Sequence, residues 1–249
     1  MRKLIHHLFH AVFGLYMLLV FSVLAISLFP FLLILPKVAW RRTMARTLSG
    51  LVFVLCAMRP TVRGLKNLPG DPCVIVANHS SYLDGVILTA VLPPDFSFVI
   101  KREVTAVPFL HYLLRSIGSE FIERHISGGK ARDSRRLLEK ASSGSSMVFF
   151  PEGTFQLEPG LLRFHNGAFA AAVRGGLPLV PVIIRGPRWI LPARAILPRW
   201  GKIEIEVLPA LTPPEPGAGG QRQLKESARL AMQASLGEPL VERQKEPAL

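Results

Sequence analysis

The chain has 249 residues, a formal net charge of +13 and 49% hydrophobic residues, and this length suits one sizeable α/β domain with appendages. Soluble nucleic-acid-binding proteins often carry such a charge, but the hydrophobic residues here are concentrated at the N-terminus, which argues against that class. Together, the charge and the apolar N-terminus favour contact with an anionic membrane surface or an anionic substrate.

The first predicted element is a long apolar stretch that has no Asp, Glu, Lys or Arg between Lys3 and Lys37. As one helix it would be about 50 Å long, whereas the hydrocarbon core of a bilayer is about 30 Å thick. Pro30 removes a backbone donor that a continuous helix needs. The sequence therefore predicts a retained membrane segment, either one tilted span or a hairpin within one leaflet. Basic residues on both flanks favour the hairpin, with both ends in the cytoplasm.

Residues 38–58 continue with arginines and then with apolar residues, among them Leu51 and Phe53. Two interpretations remain open for this stretch. It lies along the membrane interface, with its arginines toward lipid phosphates, or it is a buried helix of the globular domain.

Composition divides the chain into three parts. We assign residues 1–58 to a membrane-anchoring helical segment and residues 59–211 to a globular domain. Residues 212–249 begin with a linker rich in proline and glycine, continue as a predicted helix and end in a frayed tail.

Within the globular domain, short apolar runs alternate with helical patterns. The candidate strands are residues 74–77, 96–100, 147–150, 179–184 and 203–208, and the candidate helices are residues 84–91, 108–117, 131–141 and 167–173. This alternation predicts an α/β fold with a mixed, largely parallel sheet flanked by helices. Ligands bind such sheets at the carboxyl ends of the strands. His79 and Glu152 both follow candidate strands directly, so we expect them to face one crevice.

A turn between the strand at residues 74–77 and the next helix brings a possible catalytic pair together. The helix start can fold the Asp84 carboxylate back toward His79, where it would accept a hydrogen bond from one ring nitrogen and leave the other as a base. In the alternative interpretation both are ordinary loop residues, and Asp84 caps the helix.

Four sequence blocks in the middle of the chain belong together. Residues 78–84 contain Asn-His-x4-Asp, residues 118–124 end in Phe-Ile-x-Arg, residues 150–154 read Phe-Pro-Glu-Gly-Thr, and residues 179–182 read Leu-Val-Pro-Val. In this order and spacing, the chain resembles the glycerolipid acyltransferase family that includes the lysophosphatidate (1-acylglycerol-3-phosphate) acyltransferases. The resemblance covers about half of the chain and implies that the globular domain has the fold of that family.

The resemblance also implies a reaction in phospholipid biosynthesis. His79, held by Asp84, would take the proton from the hydroxyl of a lysolipid, and the oxygen would attack the thioester of acyl-CoA or acyl-carrier protein. No protein nucleophile is needed, in agreement with the absence of a Gly-x-Ser-x-Gly motif. Backbone N–H groups of the turn after His79 are the expected oxyanion donors.

The resemblance also implies further substrate-binding residues, within the blocks and at Lys101. Arg124 and Lys101 are expected to bind an acceptor phosphate, although each could be a solvated surface charge. The resemblance implies that Glu152 helps to position the acceptor by bonding the hydroxyl groups of the acceptor. Gly153 and Thr154 belong to the same expected substrate-binding set. Gly153 also allows a sharp turn of the backbone.

The main departure from the pattern of the family is at residue 155. The family frequently has arginine after Pro-Glu-Gly-Thr, whereas this chain has Phe155; Glu123, where aspartate is usual, is a minor departure. Losing a cation removes a charge-assisted contact to phosphate. The acceptor is therefore open between a lysophosphatidate-like lipid and another lysolipid, such as a lyso-aminolipid or a lysophospholipid. A catalytically silent lipid-binding membrane protein is a further alternative.

The remaining expectations concern the partners, cofactors and cellular location of the protein. We expect membrane lipids, a lysolipid acceptor and acyl-CoA or acyl-carrier protein as partners, and no nucleic acid. The chain has no metal-binding or P-loop motif, and Cys56 and Cys73 have no metal or redox spacing. We therefore expect no metal and no cofactor, with the globular domain cytosolic and held against the inner leaflet of the membrane.

Overall fold

Apolar and β-branched runs form one central sheet in the computed structural model, which describes residues 2–122, 127–217 and 219–241. The strands are β1 (Thr61–Arg63), β2 (Val74–Ala77), β3 (Ser97–Lys101), β4 (Glu120–Ile122), β5 (Met147–Phe149), β6 (Leu179–Arg185) and β7 (Glu204–Val207). The α-helices are α1 (Arg2–Ile34), α2 (Val38–Leu55), α3 (Leu83–Val91), α4 (Pro108–Ser116), α5 (Ser127–Ser142), α6 (Gly167–Gly175), α7 (Pro187–Ile190) and α8 (Gly220–Leu236).

The strands lie in the order β1-β7-β6-β2-β5-β3-β4. Among the described strands, only β6 and β7 pair antiparallel, and all other neighbours are parallel. The predicted mixed, largely parallel sheet is therefore confirmed. The sequence did not predict β1 and β4, which have three residues each. Unlike the equally short β5, which is apolar throughout, each contains a charged residue that interrupts the apolar pattern.

Helices cover both faces of the sheet, so its central strand is apolar at every position. In β2, Ile75 and Ala77 pack into one core cluster, whereas Val74 and Val76 pack into the cluster on the opposite face. All four side chains are fully buried. Burial of one such branched side chain contributes about 1.5–3 kcal/mol, so β2 is a rigid base for the residues that follow it.

Helix α1 is continuous through Pro30, and the chain turns only at residues 35–37. Of the two possibilities left open for this segment, the structure shows one continuous helix, and the chain does not fold back within residues 4–34. Pro30 is tolerated because the helix continues for only one further turn and that turn is packed. Leu28 and Leu32 lie buried against Ala45 of α2 and Ile117, which offsets the missing backbone hydrogen bond. After the turn, α2 packs against α1, and the two helices form a hairpin.

Helix α2 joins this hairpin to the sheet. Phe53 is fully buried in the core, whereas Trp40 and Leu55 are exposed. The guanidinium of Arg42 donates to the backbone oxygens of Ile117 and Asp95, at 2.7 and 2.8 Å. The stretch at residues 38–58 thus combines a buried face, as in one of the two interpretations, with an exposed apolar face.

Candidate active site

The site begins where two neighbouring parallel strands end. In β2 and β5, Val76 is paired with Phe149, so both chains leave the sheet at the same edge. His79 and Glu152 follow within three residues, and the backbone N–H of His79 donates to Glu152 Oε1 at 2.7 Å. The two residues therefore meet at the edge of the sheet where the sequence places a crevice.

Asn78 extends the sheet by one side chain. Its amide donates to the backbone oxygen of Ile184 at 3.0 Å and accepts from the Ile184 N–H at 2.7 Å. The side chain thus takes the place of a paired backbone on the β6 side while the main chain turns away toward His79. This role of Asn78 was not predicted from the sequence, where the available signal was an amide side chain directly after a buried strand.

The imidazole of His79 and the carboxylate of Asp84 are in direct contact. His79 Nδ1 lies 2.9 Å from Asp84 Oδ2, and Asp84 is fully buried. Because the carboxylate can only accept, it selects the tautomer with the proton on Nδ1 and leaves Nε2 as the basic nitrogen. The histidine side chain retains 19% of its exposure, which gives a substrate access to the ring.

The same carboxylate oxygen also shapes the turn. Asp84 Oδ2 accepts the backbone N–H groups of Ser80 and Ser81, at 2.7 and 2.9 Å. These two N–H groups belong to the turn that was expected to supply oxyanion donors, and both are already occupied in the structure. The expectation is therefore corrected for Ser80 and Ser81, because donors engaged by a buried carboxylate within the turn do not face a reacting carbonyl.

Aromatic rings surround the imidazole. The ring of Phe150 stacks on His79 with centroids 4.4 Å apart, and the ring of Phe155 approaches its edge at 4.6 Å. Phe155 also contacts Tyr82 at 4.8 Å, and Tyr82 is largely exposed. The residue that departs from the family pattern therefore lies directly beside the proposed base.

Glu152 is buried behind the turn. Its second carboxylate oxygen accepts the backbone N–H of Leu162 at 2.8 Å, and the residue is 1% exposed. Burial raises the pKa of Glu152 to about 8, although the N–H groups of His79 and Leu162 act in the opposite direction. These contacts favour a role in holding the backbone of His79 over the expected contact with acceptor hydroxyls.

The raised pKa of Glu152 predicts a pH-dependent stability. Between the ordinary pKa of 4.5 and the folded-state value of about 8, the folded chain binds more protons than the unfolded chain, so the free energy of unfolding falls as pH rises. We expect Glu152 to make its full contribution to the free energy of unfolding below pH 4.5 and to have lost it above pH 8. The loss should amount to a few kcal/mol, since one pKa unit corresponds to about 1.4 kcal/mol.

Thermal unfolding in detergent across this pH range, compared with Glu152→Gln, measures the contribution. Groups that titrate in both proteins cancel in the difference. Parallel curves for the two proteins would show that Glu152 does not titrate with a raised pKa.

The other expected substrate-binding residues lie around the same edge. Gly153 has a φ of +73° and donates its N–H to the oxygen of Phe150 at 3.0 Å, which closes the sharp turn expected there. Thr154 follows it and is half-buried. Lys101 ends β3, next to β5, and is paired with Ile122 of β4. Arg124 lies outside the described residues.

Comparison with known proteins bears on this arrangement. A family model described as "Acyltransferase" matches residues 59–185, about half of the chain and the part that contains all four sequence blocks. The chain belongs to this acyltransferase family.

Curated relatives include acyltransferases with several acceptors in their names. A chloroplastic 1-acyl-sn-glycerol-3-phosphate acyltransferase of Brassica napus is 30% identical over 70% of this chain and 51% of the relative. A lyso-ornithine lipid O-acyltransferase of Pseudomonas aeruginosa is 37% identical over 52% of the chain and 50% of the relative. The chain thus spans about half of the length of these two relatives.

A solved structure shares the fold over nearly the whole chain. It is the 1-acyl-sn-glycerophosphate acyltransferase PlsC of Thermotoga maritima, with a TM-score of 0.77, 20% sequence identity, and coverage of 95% of this chain and 97% of the other. The expected glycerolipid acyltransferase fold is therefore confirmed for this member of the acyltransferase family.

Proposed function

We propose that the protein transfers a fatty acyl group from an acyl thioester to the hydroxyl of a lysolipid, in phospholipid biosynthesis. The contact between His79 Nδ1 and Asp84 Oδ2 at 2.9 Å carries this proposal, because it orients Nε2 as a base at the sheet edge where ligands of such folds bind. Membership of the acyltransferase family supports the same chemistry.

The reaction proceeds in two proton transfers. Nε2 of His79 takes the hydroxyl proton of the lysolipid while the oxygen attacks the thioester carbonyl. Asp84 stabilises the resulting imidazolium across the Nδ1 hydrogen bond. When the tetrahedral intermediate collapses, the carbon–sulfur bond breaks, and the imidazolium returns its proton to the leaving thiolate. The products are the ester and a free thiol, and His79 is neutral again.

A lysophosphatidate-like lipid is the first candidate acceptor. Lys101 ends β3 at the edge of the sheet that also carries His79, and we propose it as a phosphate-binding cation together with Arg124. Gly153 and Thr154 complete the proposed substrate-binding set, with Glu152 acting through the backbone. Acyl-CoA and acyl-carrier protein are both acidic, and the net charge of +13 suits either donor.

The membrane supplies the acceptor in this proposal. Helix α1 has 33 residues and meets the length and hydropathy expected of a membrane span over Leu4–Ile34. One side of α1 packs on the protein through residues such as Met17, whereas Leu8, Leu19 and other apolar side chains are exposed. We propose that this exposed face enters the inner leaflet and holds the site, on the cytosolic side, against the membrane.

Thioester consumption by the purified protein in detergent tests the function. Lysophosphatidate, glycerol-3-phosphate, a lysophospholipid and a lyso-aminolipid are offered in parallel with each thioester donor. Turnover with lysophosphatidate supports the first candidate, and turnover only with another lysolipid keeps the chemistry but changes the acceptor. A folded protein that shows no turnover with any pair would contradict the proposal and favour a silent lipid-binding protein.

A second candidate acceptor lacks a phosphate monoester. The ring of Phe155 lies 4.6 Å from the ring of His79, at the position where the family pattern frequently has arginine. An apolar ring there offers no charge-assisted contact to phosphate. The likeness to the lyso-ornithine lipid acyltransferase agrees with a lyso-aminolipid, whose own headgroup carries an ammonium.

The variant Phe155→Arg distinguishes the two candidates. A guanidinium beside His79 would add a charge-assisted hydrogen bond to the phosphate of lysophosphatidate, worth about 1.5–3 kcal/mol. The kcat/KM for lysophosphatidate, divided by the kcat/KM for a lyso-aminolipid, should therefore rise by about tenfold or more. Phe155→Leu is the matched control, because it removes the ring without adding charge. An unchanged ratio in Phe155→Arg would show that residue 155 does not select the headgroup.

A further inference from the structure

Residues 238–241, which follow α8, are built into the domain. The sequence predicted a frayed tail here, but residues 238–241 lie beside the segment at residues 160–162, which follows the Pro-Glu-Gly-Thr turn. Leu161 forms a parallel bridge with Leu240. Its N–H donates to the oxygen of Pro239, and its own oxygen accepts the N–H of Val241, both at 2.9 Å. We call residues 238–241 the C-terminal strap.

Glu238 fixes the strap at two points. Its Oε2 accepts the backbone N–H of Gly160 at 2.6 Å. The carboxylate also forms a two-point ion pair with the guanidinium of Arg188 in α7, with Nη2 2.8 Å from Oε2 and Nη1 bound to Oε1. About a fifth of each side chain is exposed, so this pair is less screened than a surface pair and is geometrically specific.

Glycine at position 160 lets the strap approach closely. Gly160 has a φ of +149°, and a Cβ at this position would lie 2.5 Å from Cγ2 of Val241. The segment and the strap are therefore shaped for each other at the point where Glu238 binds.

The strap is connected to the catalytic turn through two residues. Leu162 is next to the bridged Leu161, and its N–H donates to Glu152 Oε2 at 2.8 Å. The other oxygen of Glu152 accepts the N–H of His79 at 2.7 Å. Every step from the strap to the backbone of His79 is thus a hydrogen bond or a peptide bond.

We propose that Glu238 is a positioning residue for the reaction, and that the C-terminal strap sets the position of His79 through residues 160–162 and Glu152. The inference rests on the proposed function. Glu238 does not contact the substrates; it holds the segment that orients the Glu152 carboxylate, which in turn holds the backbone of the base. Loosening the strap displaces Nε2 from the attacking hydroxyl but leaves the proposed phosphate-binding cations Lys101 and Arg124 in the chain.

Two full-length variants test the proposal from different sides. Glu238→Gln removes the charge that pairs with Arg188, and Val241→Pro removes the N–H that donates to Leu161 while leaving Glu238 intact. Glu238→Asp keeps the charge and should restore part of the activity. Glu226→Gln, on the exposed side of α8, is the control and should behave as the wild type.

We expect both variants to lower kcat by at least about tenfold, since a displacement near 1 Å can cost about a hundredfold, while KM for acceptor and donor changes by less than about twofold. An unchanged kcat in both folded variants would overturn the proposal. The proposal would also be overturned if the variants lost substrate affinity and thermal stability along with kcat, because that would show that the strap only supports the fold.

Amide hydrogen exchange separates this inference from the proposed function. In the Glu238→Gln protein, exchange at the N–H groups of His79 and Leu162 should accelerate by at least about tenfold relative to Glu226→Gln, because local opening controls exchange. Faster exchange with an inactive wild type would contradict the proposed function alone. Unchanged exchange would refute the connection from the strap to His79.

Discussion

Replacing His79 by alanine is expected to abolish turnover while the protein stays folded. The imidazole is the group placed to take the hydroxyl proton, and a positioned general base contributes at least about a hundredfold to the rate. The imidazole is partly exposed at the edge of the sheet and lies outside the buried core clusters, so its removal should leave the fold intact. Thioester consumption with the preferred acceptor, together with a thermal unfolding curve, measures both parts of the expectation.

A matched histidine variant serves as the control. His111 lies in α4 and packs its ring against Phe121, apart from the His79 turn. His111→Ala should retain activity close to that of the wild type. Activity of His79→Ala within about tenfold of the wild type would rule out the general-base role, which requires a larger loss.

The second large effect is expected for Asp84→Asn. Only Oδ2 of Asp84 is engaged, whereas Oδ1 has no hydrogen-bond partner among the described residues. An asparagine can therefore keep its oxygen toward His79, Ser80 and Ser81 and place its amide nitrogen at the position of Oδ1. The shape of the turn is largely preserved, but the negative charge that stabilises the imidazolium is lost.

We expect kcat of Asp84→Asn to fall by at least about a hundredfold, because the base loses the charge that favours its protonated form. KM should change little, since neither substrate contacts the buried carboxylate. Circular dichroism and steady-state kinetics provide the measurement. A fall in kcat of less than about fivefold would show that Asp84 only shapes the turn, as in the helix-capping interpretation.

The sequence predicts the parts of this molecule that depend on local patterns. The apolar run at β2 and the run at β6 identify buried central strands, and the turn between β2 and α3 brings His79 to Asp84. These features need only the chain on either side of a turn. The catalytic roles of the two residues stay predictions until the variants are measured.

Features that depend on distant segments were not predictable in this way. Glu152 was expected at the crevice, but its hydrogen bond from the His79 N–H was not predicted. Any residue can supply a backbone N–H, so such a contact between two strands gives no pattern in the sequence. The strap pairs Glu238 with Gly160, which are 78 positions apart. Helix α1 passes through Pro30 because tertiary packing on α2 overrides the local penalty for proline.

The N-terminal hairpin has a practical consequence for anyone who wishes to shorten the chain. Met17 of α1 and Val52 and Phe53 of α2 belong to the same core cluster as Ile75 of the central strand. A soluble truncation that starts near residue 59 would uncover one face of the sheet and would be expected to aggregate. Detergent screening of the intact chain, or mutation of exposed residues such as Leu8 and Leu19, is the better route to a protein that can be handled in water.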